Sequence, residues 1–348
     1  MFKELYYQEI YFASYKELND PLDMSLRVEF TAREENEIEY LIWVLLKTTL
    51  TVFESNISES EQENNSRLIA FNKNHESRNS FKRNLFIQLN QLKSSNSFIN
   101  IDLLECAVAK AVEECSINFK INLSSFRNEI QRLSIKFLES SYATCFSEAN
   151  DDFLMWSHYA SKHSGVCLEF SLENERMFPY KFTGRRKYDQ NEYLQRISKM
   201  EIEATVIWEG LNKVEYRDEQ AHINFFEFAP VFDNEHNCDL IGLSKSWTHK
   251  FAYELKHAFS IKTKPWSYEK EWRAIEINFG DKQAPEERIK HYPIEVLSSI
   301  YFGMRTPESV KKRIFKIFSN QRKDLKYFEC KPTNGRELTF ERWEYFDE

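Results

Sequence analysis

The sequence predicts an α+β protein, a mixed sheet packed with helices and carrying a large helical insertion in its N-terminal half. Three observations predict it. A strand-like stretch at 10–14 is followed by four helix-patterned segments before residue 140. From residue 142 onward short strand-like runs alternate with helical ones. The early strand has to pair with strands of the second half, so 35–140 is expected to be inserted into one α+β domain made of 1–34 and 141–348.

The elements follow in order. In the turn at 17–23, Asn19 and Asp20 can bond to nearby amides, and Pro21 forces extended backbone at Asp20. Over 35–54, Ile38, Leu41, Ile42, Leu45, Leu46, Leu50 and Phe53 recur at three- and four-residue steps, the pattern of one long amphipathic helix. Residues 55–80 are rich in Ser, Asn and Glu and are expected as a loop. Helical patterns resume at 81–92, 103–117 and 123–138. Strands are then expected at 143–147, 166–170, 257–262, 272–277, 299–302 and 327–331, and helices at 151–163, 186–209, 215–228, 244–255 and 307–319.

Composition narrows the function. With 348 residues, 42% hydrophobic and 29% charged, the chain can bury a core. Only seven glycines occur, and neither GxGxxG nor GxxxxGK[ST] is present, which excludes a glycine-rich phosphate cradle. Forty-seven basic against 55 acidic residues give a net charge of −8, so nucleic acid is an unfavoured partner; the basic runs 185–187 and 311–313 read as solvated faces. The longest apolar run, 41–50, is interrupted by Lys47 and is shorter than the roughly 20 residues of a membrane span. The first ten residues carry no secretion pattern, so a cytoplasmic, membrane-free protein is expected. Six cysteines without a CxxC pair oppose a zinc cage or a disulfide framework, and no metal is expected.

Two windows hold candidate chemistry. The first runs from Cys145 to Phe170: a strand, an Asn/Asp helix start, about three turns of helix, a stop at Gly165 and a second strand. On that helix Trp156 and Tyr159 share the apolar side, whereas His158 stands at its border. In the second window, 262–277, strand alternation puts Glu269, Glu271 and Arg273 on one face with roughly 7 Å between successive residues. An exposed face would make them a solvated pair, and a cleft would make them an anion clamp beside a carboxylate.

The strings IYFASYKELNDPLD, CFSEANDDFLMWSHYASKHSGVCLEF, KPWSYEKEWRAI and SSIYFGMRTPE resemble, in order and spacing, the bacterial domain of unknown function 2971 family across 10–320. The resemblance implies a cleft assembled from several loops and marks Asn19, Asp20, Trp156, His158, Tyr159, Glu271 and Arg273 as site positions. The string YEKEWR is also similar to the Glu-x-Glu strand of some ADP-ribosyltransferases. The expected function is therefore a bacterial stress or phage-defence effector enzyme acting on a nucleotide-type substrate, by ADP-ribosyltransferase or NAD-glycohydrolase chemistry. NAD would be its substrate. In that reading Glu271, with Glu269 as the second carboxylate, stabilises positive charge on the sugar and Arg273 holds the pyrophosphate. Tyr159 or Trp156 stacks on a ring, and His158 bonds to a ribose hydroxyl. The alternative is a non-catalytic module that binds a nucleotide or a partner protein and signals through the helical insertion.

Overall fold

The computed structural model describes residues 2–50, 58–171, 179–181, 205–207, 211–227, 254–277, 282–332 and 338–346. Two four-stranded sheets dominate the described residues. The first has the order β2 (Ala13–Ser14), β4 (Ser141–Ser147), β12 (Glu271–Ile277), β8 (Asn212–Lys213), antiparallel throughout. β4 and β12 pair from Ser141 opposite Ile277 to Ser147 opposite Glu271, so Cys145 lies opposite Arg273 and shares its face.

The second sheet has the order β16 (Leu338–Arg342), β15 (Lys326–Pro332), β14 (Leu297–Phe302), β5 (Val166–Phe170). β14 and β15 are parallel, which requires a crossover, and helix α8 (Glu308–Phe318) supplies it. Smaller ladders join β1 (Glu9–Tyr11) to β13 (Ile289–His291), β3 (Arg27–Glu29) to β10 (His222–Asn224), β9 (Glu215–Arg217) to β11 (Ile261–Thr263) and β6 (Pro179–Lys181) to β7 (Thr205–Ile207). The early strand expected at 10–14 is thus divided between two sheets. It breaks at Phe12, whose N–H donates to the Arg288 carbonyl.

Helices α1 (Phe2–Tyr6), α2 (Ile38–Thr49), α3 (Glu59–Lys73), α4 (His75–Ser95), α5 (Ile101–Glu114) and α6 (Leu123–Glu139) precede β4, and α7 (Phe153–Tyr159) joins β4 to β5. Leu41, Leu45, Leu104, Ile130 and Leu133 from these helices pack in one core with Ala143 of β4 and Phe259, against which Ile275 and Ile277 of β12 also rest. Phe137 of α6 stacks on Phe259 with ring centroids 6.0 Å apart. The helical stretch and the first sheet therefore exclude water together. A second core, with Leu297, Ile300, Phe302, Ile314 and Phe318, lies between the other sheet and α8.

Several expectations are corrected. The polar stretch 55–80 holds α3 and the start of α4 rather than a loop. Ser58 and Glu61 form a capping box, Asn74 caps α4, and Leu68 and Phe71 anchor an otherwise polar helix whose residues are mostly good helix formers. The helix expected at 215–228 is replaced by β9 and β10, because Tyr216 and Ile223 pack as strand residues. Residues 254–259 are helical, so the strand expected from 257 starts at Ile261. The helix expected at 186–209 lies outside the described residues except for β7, and that at 244–255 almost wholly so.

α7 ends at Tyr159, four residues before the expected end at 163, and Ser161, Lys162 and His163 take positive φ values of 49°, 55° and 69°. This turn is clamped to the second sheet by Gly303, whose N–H donates to the Gly165 carbonyl. A Cβ on Gly303 would lie 2.2 Å from the His163 carbonyl oxygen and 2.7 Å from its carbon, both backbone atoms. Gly303→Ala is therefore expected to cost about 1–3 kcal/mol through displacement of this turn. Urea unfolding checks it: an unchanged midpoint would mean that the turn yields freely.

Candidate functional site

A cavity of about 750 Å³ opens between the two sheets, lined by Cys145, Phe146 and Ser147 of β4, Leu168 and Glu169 of β5, and Tyr159 of α7. Its volume suits a small-molecule ligand. Trp272 of β12 closes one side and is held there by its Nε1–H, which donates to Glu148 at 2.7 Å. The walls are aromatic and acidic: no lysine or arginine lines the cavity among the described residues. Glu148 is neutralised by Lys213 at 2.7 Å, whereas Glu169 accepts only the Tyr301 hydroxyl, at 2.9 Å, among the contacts described.

Behind the Tyr159 and Cys145 wall lies a buried charge network. Arg273 is 0% exposed. Its Nε and Nη2 donate to Glu271 at 2.7 and 3.0 Å, its Nη1 and Nη2 reach Asp23 at 2.7 and 2.8 Å, and Nη1 also donates to the Phe259 carbonyl at 2.7 Å. Lys262 of β11 donates to Glu269 at 2.6 Å and Glu271 at 3.0 Å, and lies 3.1 Å from Asp23. The Tyr159 hydroxyl donates to Glu269 at 2.6 Å, and the Asn19 side chain bonds to that hydroxyl. The Tyr216 hydroxyl accepts the Glu271 N–H at 2.9 Å.

The chain builds this cluster by local means. β12 presents Glu271 and Arg273 on one face by simple alternation. Glu269 ends the 3₁₀ helix Lys264–Glu269, and Lys270 in the left-handed conformation, φ 45°, turns the backbone so that Glu269 still faces Lys262. Three carboxylates meet two cations, so the cluster carries one surplus negative charge. It reaches the cavity through Tyr159, which is 49% exposed.

Electrostatics follow from burial and pairing. Burial would push the Glu271 carboxyl up, but the bonds from Arg273 and the charges of Arg273 and Lys262 outweigh it and hold the group near 2. Burial, then the bond to Glu269, pushes the Tyr159 phenol up, so it stays a neutral donor. The Cys145 thiol, at the cavity wall and bonded to Glu271, is pushed well above the ordinary thiol value by burial and by that carboxylate. A thiol so disfavoured from ionising is a poor nucleophile.

The expected site residues divide. Glu269, Glu271, Arg273 and Tyr159 come together, with Asn19 at the edge. Arg273 has every nitrogen engaged inside the protein, so it fastens the wall and has no N–H left for a pyrophosphate. Trp156 is buried with its Nε1–H on the Asn150 carbonyl at 2.5 Å and its ring beside Phe340, so it supports the cavity from the core. Asp20 is a turn residue, accepting the Leu22 N–H at 2.9 Å. His158 is exposed beside the Tyr159 ring, 6.4 Å between centroids, and is not part of the cluster. Sequence reasoning missed Asp23, Lys262, Tyr216 and Cys145. Asp23 and Cys145 stand inside the blocks that carry the family resemblance, and Lys262 lies two residues before one of them. Among the described residues no three His, Cys, Asp or Glu side chains are placed to hold a metal ion, and no helix is long and apolar enough to cross a membrane.

The chain is thus an α+β protein in which two sheets face a cavity backed by a buried cluster of carboxylates and cations. Residues 155–274, about a third of the chain, match the model of a family described as a protein of unknown function (DUF2971), and over that stretch the chain is similar to this family. The match takes in α7 from Met155 onward, Lys262, Glu269, Glu271 and Arg273. No curated protein and no solved structure matches the chain.

Proposed function

We propose that the chain is an enzyme that cleaves the glycosidic bond of a nucleotide-type substrate held in the cavity between the sheets. NAD is the substrate, ADP-ribosyl transfer or NAD hydrolysis the reaction, and a bacterial stress or phage-defence response in the cytoplasm the setting. The observation that carries this reading is the surplus negative charge of the Asp23, Glu269, Glu271, Lys262, Arg273 cluster, delivered to an aromatic and acidic cavity through Tyr159. The oxidised nicotinamide ring is a planar cation, and its departure leaves positive charge on the ribose; both suit such a wall.

The bond between ribose carbon and ring nitrogen breaks with its electron pair passing to the ring, and neutral nicotinamide leaves. Water or an acceptor group then adds to the sugar. The proton it loses passes to the Tyr159 oxygen as the Tyr159 proton passes to Glu269. Purified protein is expected to release nicotinamide from NAD, and Tyr159→Phe to slow release by about 10²-fold or more while remaining folded, at a stability cost of about 1–3 kcal/mol for the lost bond to Glu269. NAD should also bind more tightly than its reduced form, whose ring is neutral. No release, with equal binding of both forms, would contradict the proposal.

One observation favours the non-catalytic reading: Glu271, Lys262 and Arg273 already satisfy one another without a ligand. A module of that kind would bind the nucleotide with no turnover, and Tyr159→Phe would alter affinity alone.

A further inference from the structure

A second cavity, of about 530 Å³, lies among α2, α3 and α4, far along the chain from the residues of the first. Its body is apolar, made by Leu46 and Leu50 on one side and Leu68 and Ile69 on the other. Ile69 is 43% exposed, a large aliphatic side chain turned to an open space. Trp43 forms an aromatic wall, stacked on Tyr40 with centroids 5.9 Å apart and planes 17° apart. The charge at the rim is opposite to that of the chain as a whole, whose net charge is −8. Lys47, Lys73 and Arg78 face it with a single carboxylate, Glu39, and that group is already shared by Arg78 at 2.7 Å and Lys82 at 2.9 Å. Lys47 stands 4.7 Å over the Trp43 ring and is paired with Glu129 at 3.3 Å, whereas exposed Lys73 has no carboxylate partner among the described residues.

We propose that this cavity is a binding site for a small amphipathic anion, an aromatic or branched aliphatic body ending in a carboxylate. The body displaces water from Leu46, Leu50, Leu68 and Ile69 and lies against Trp43, while the carboxylate meets Lys73 at the rim, with Lys47, shared with Glu129, beside it. The sign of charge separates this site from the cavity between the sheets, whose described wall is acidic. The two assignments therefore stand or fall independently.

Calorimetric titration of the full chain with two probes of one shape, naphthalene-1-carboxylate and naphthalen-1-ylmethylammonium, tests it. The anion is expected to bind one site, with the cation at least fivefold weaker there. Lys73→Glu should weaken the anion about fivefold, the scale of one exposed ion pair. Ile69→Trp, which fills the cavity from an exposed position, should abolish its binding, whereas Ala149→Trp, placed in the other cavity, should leave it unchanged. No binding of the anion, equal affinity for both probes, or binding indifferent to Ile69→Trp would overturn the proposal.

Discussion

Replacing Arg273 with methionine is expected to destabilise the protein by about 3–5 kcal/mol, the cost of removing one partner from a buried ion cluster. The guanidinium bridges Asp23, Glu271 and the Phe259 carbonyl in a space closed to water. Methionine fills most of that volume but leaves two buried carboxylates and a carbonyl with Lys262 as their one remaining cation. Arg273→Lys should lose much of the same stability, because one ammonium cannot span Asp23 and Glu271 in two parallel bonds. Because Asp23 comes from the N-terminal turn and Glu271 from β12, the loss should appear as one cooperative shift in urea unfolding. A loss under about 1 kcal/mol would mean that water reaches the cluster.

The second large effect is acid lability. Glu271 is held near 2 in the folded protein against an ordinary value of 4.5, so the folded state resists its protonation. Above about 4.5 both folded and unfolded chains carry it ionised and its stabilisation is fully present. As pH falls from there toward 2, only the unfolded chain takes up the proton, and stability drains at up to about 1.4 kcal/mol per pH unit through this buried group. Glu17, where burial is outweighed by Arg288 and Ser14, and Glu129, bonded by Arg132, are likewise held near 2 but are closer to solvent, so screening leaves them a smaller share of the slope. Glu271→Gln should be less stable at pH 7 and show a shallower decline between pH 4.5 and 2. Parallel curves for variant and parent would show that Glu271 is not the ionised partner of Arg273.

Much of this architecture was legible from periodicity. β4, β5, β12 and β14 fall where short alternating or apolar runs stand between turns, and α2, α5, α6 and α8 where apolar residues recur at helical steps. α3 was hidden because its sequence is polar on nearly every side; its signal lay in the caps at Ser58 and Asn74. The candidate site was half legible. Alternation correctly joined Glu271 to Arg273, and Glu269 joins them through the left-handed turn at Lys270, which alternation does not describe. One further member was not legible from spacing for a physical reason: Asp23 lies 250 residues from Arg273, and its role comes from tertiary packing of a turn against a strand. His158 shows the converse limit of spacing. It lies within α7 as expected, yet its side chain is exposed beside Tyr159 and outside the charge cluster, which its place at the border of the apolar face does not reveal.

The most direct test of the account is whether the space between β4 and β5 is where a nucleotide binds. Ala149→Trp places a large ring at that cavity without touching the charge cluster. Titration calorimetry of NAD against parent and variant is predicted to show binding to the parent and its loss in Ala149→Trp, at unchanged melting temperature. Equal NAD binding by both proteins, or none by the parent, would contradict the account.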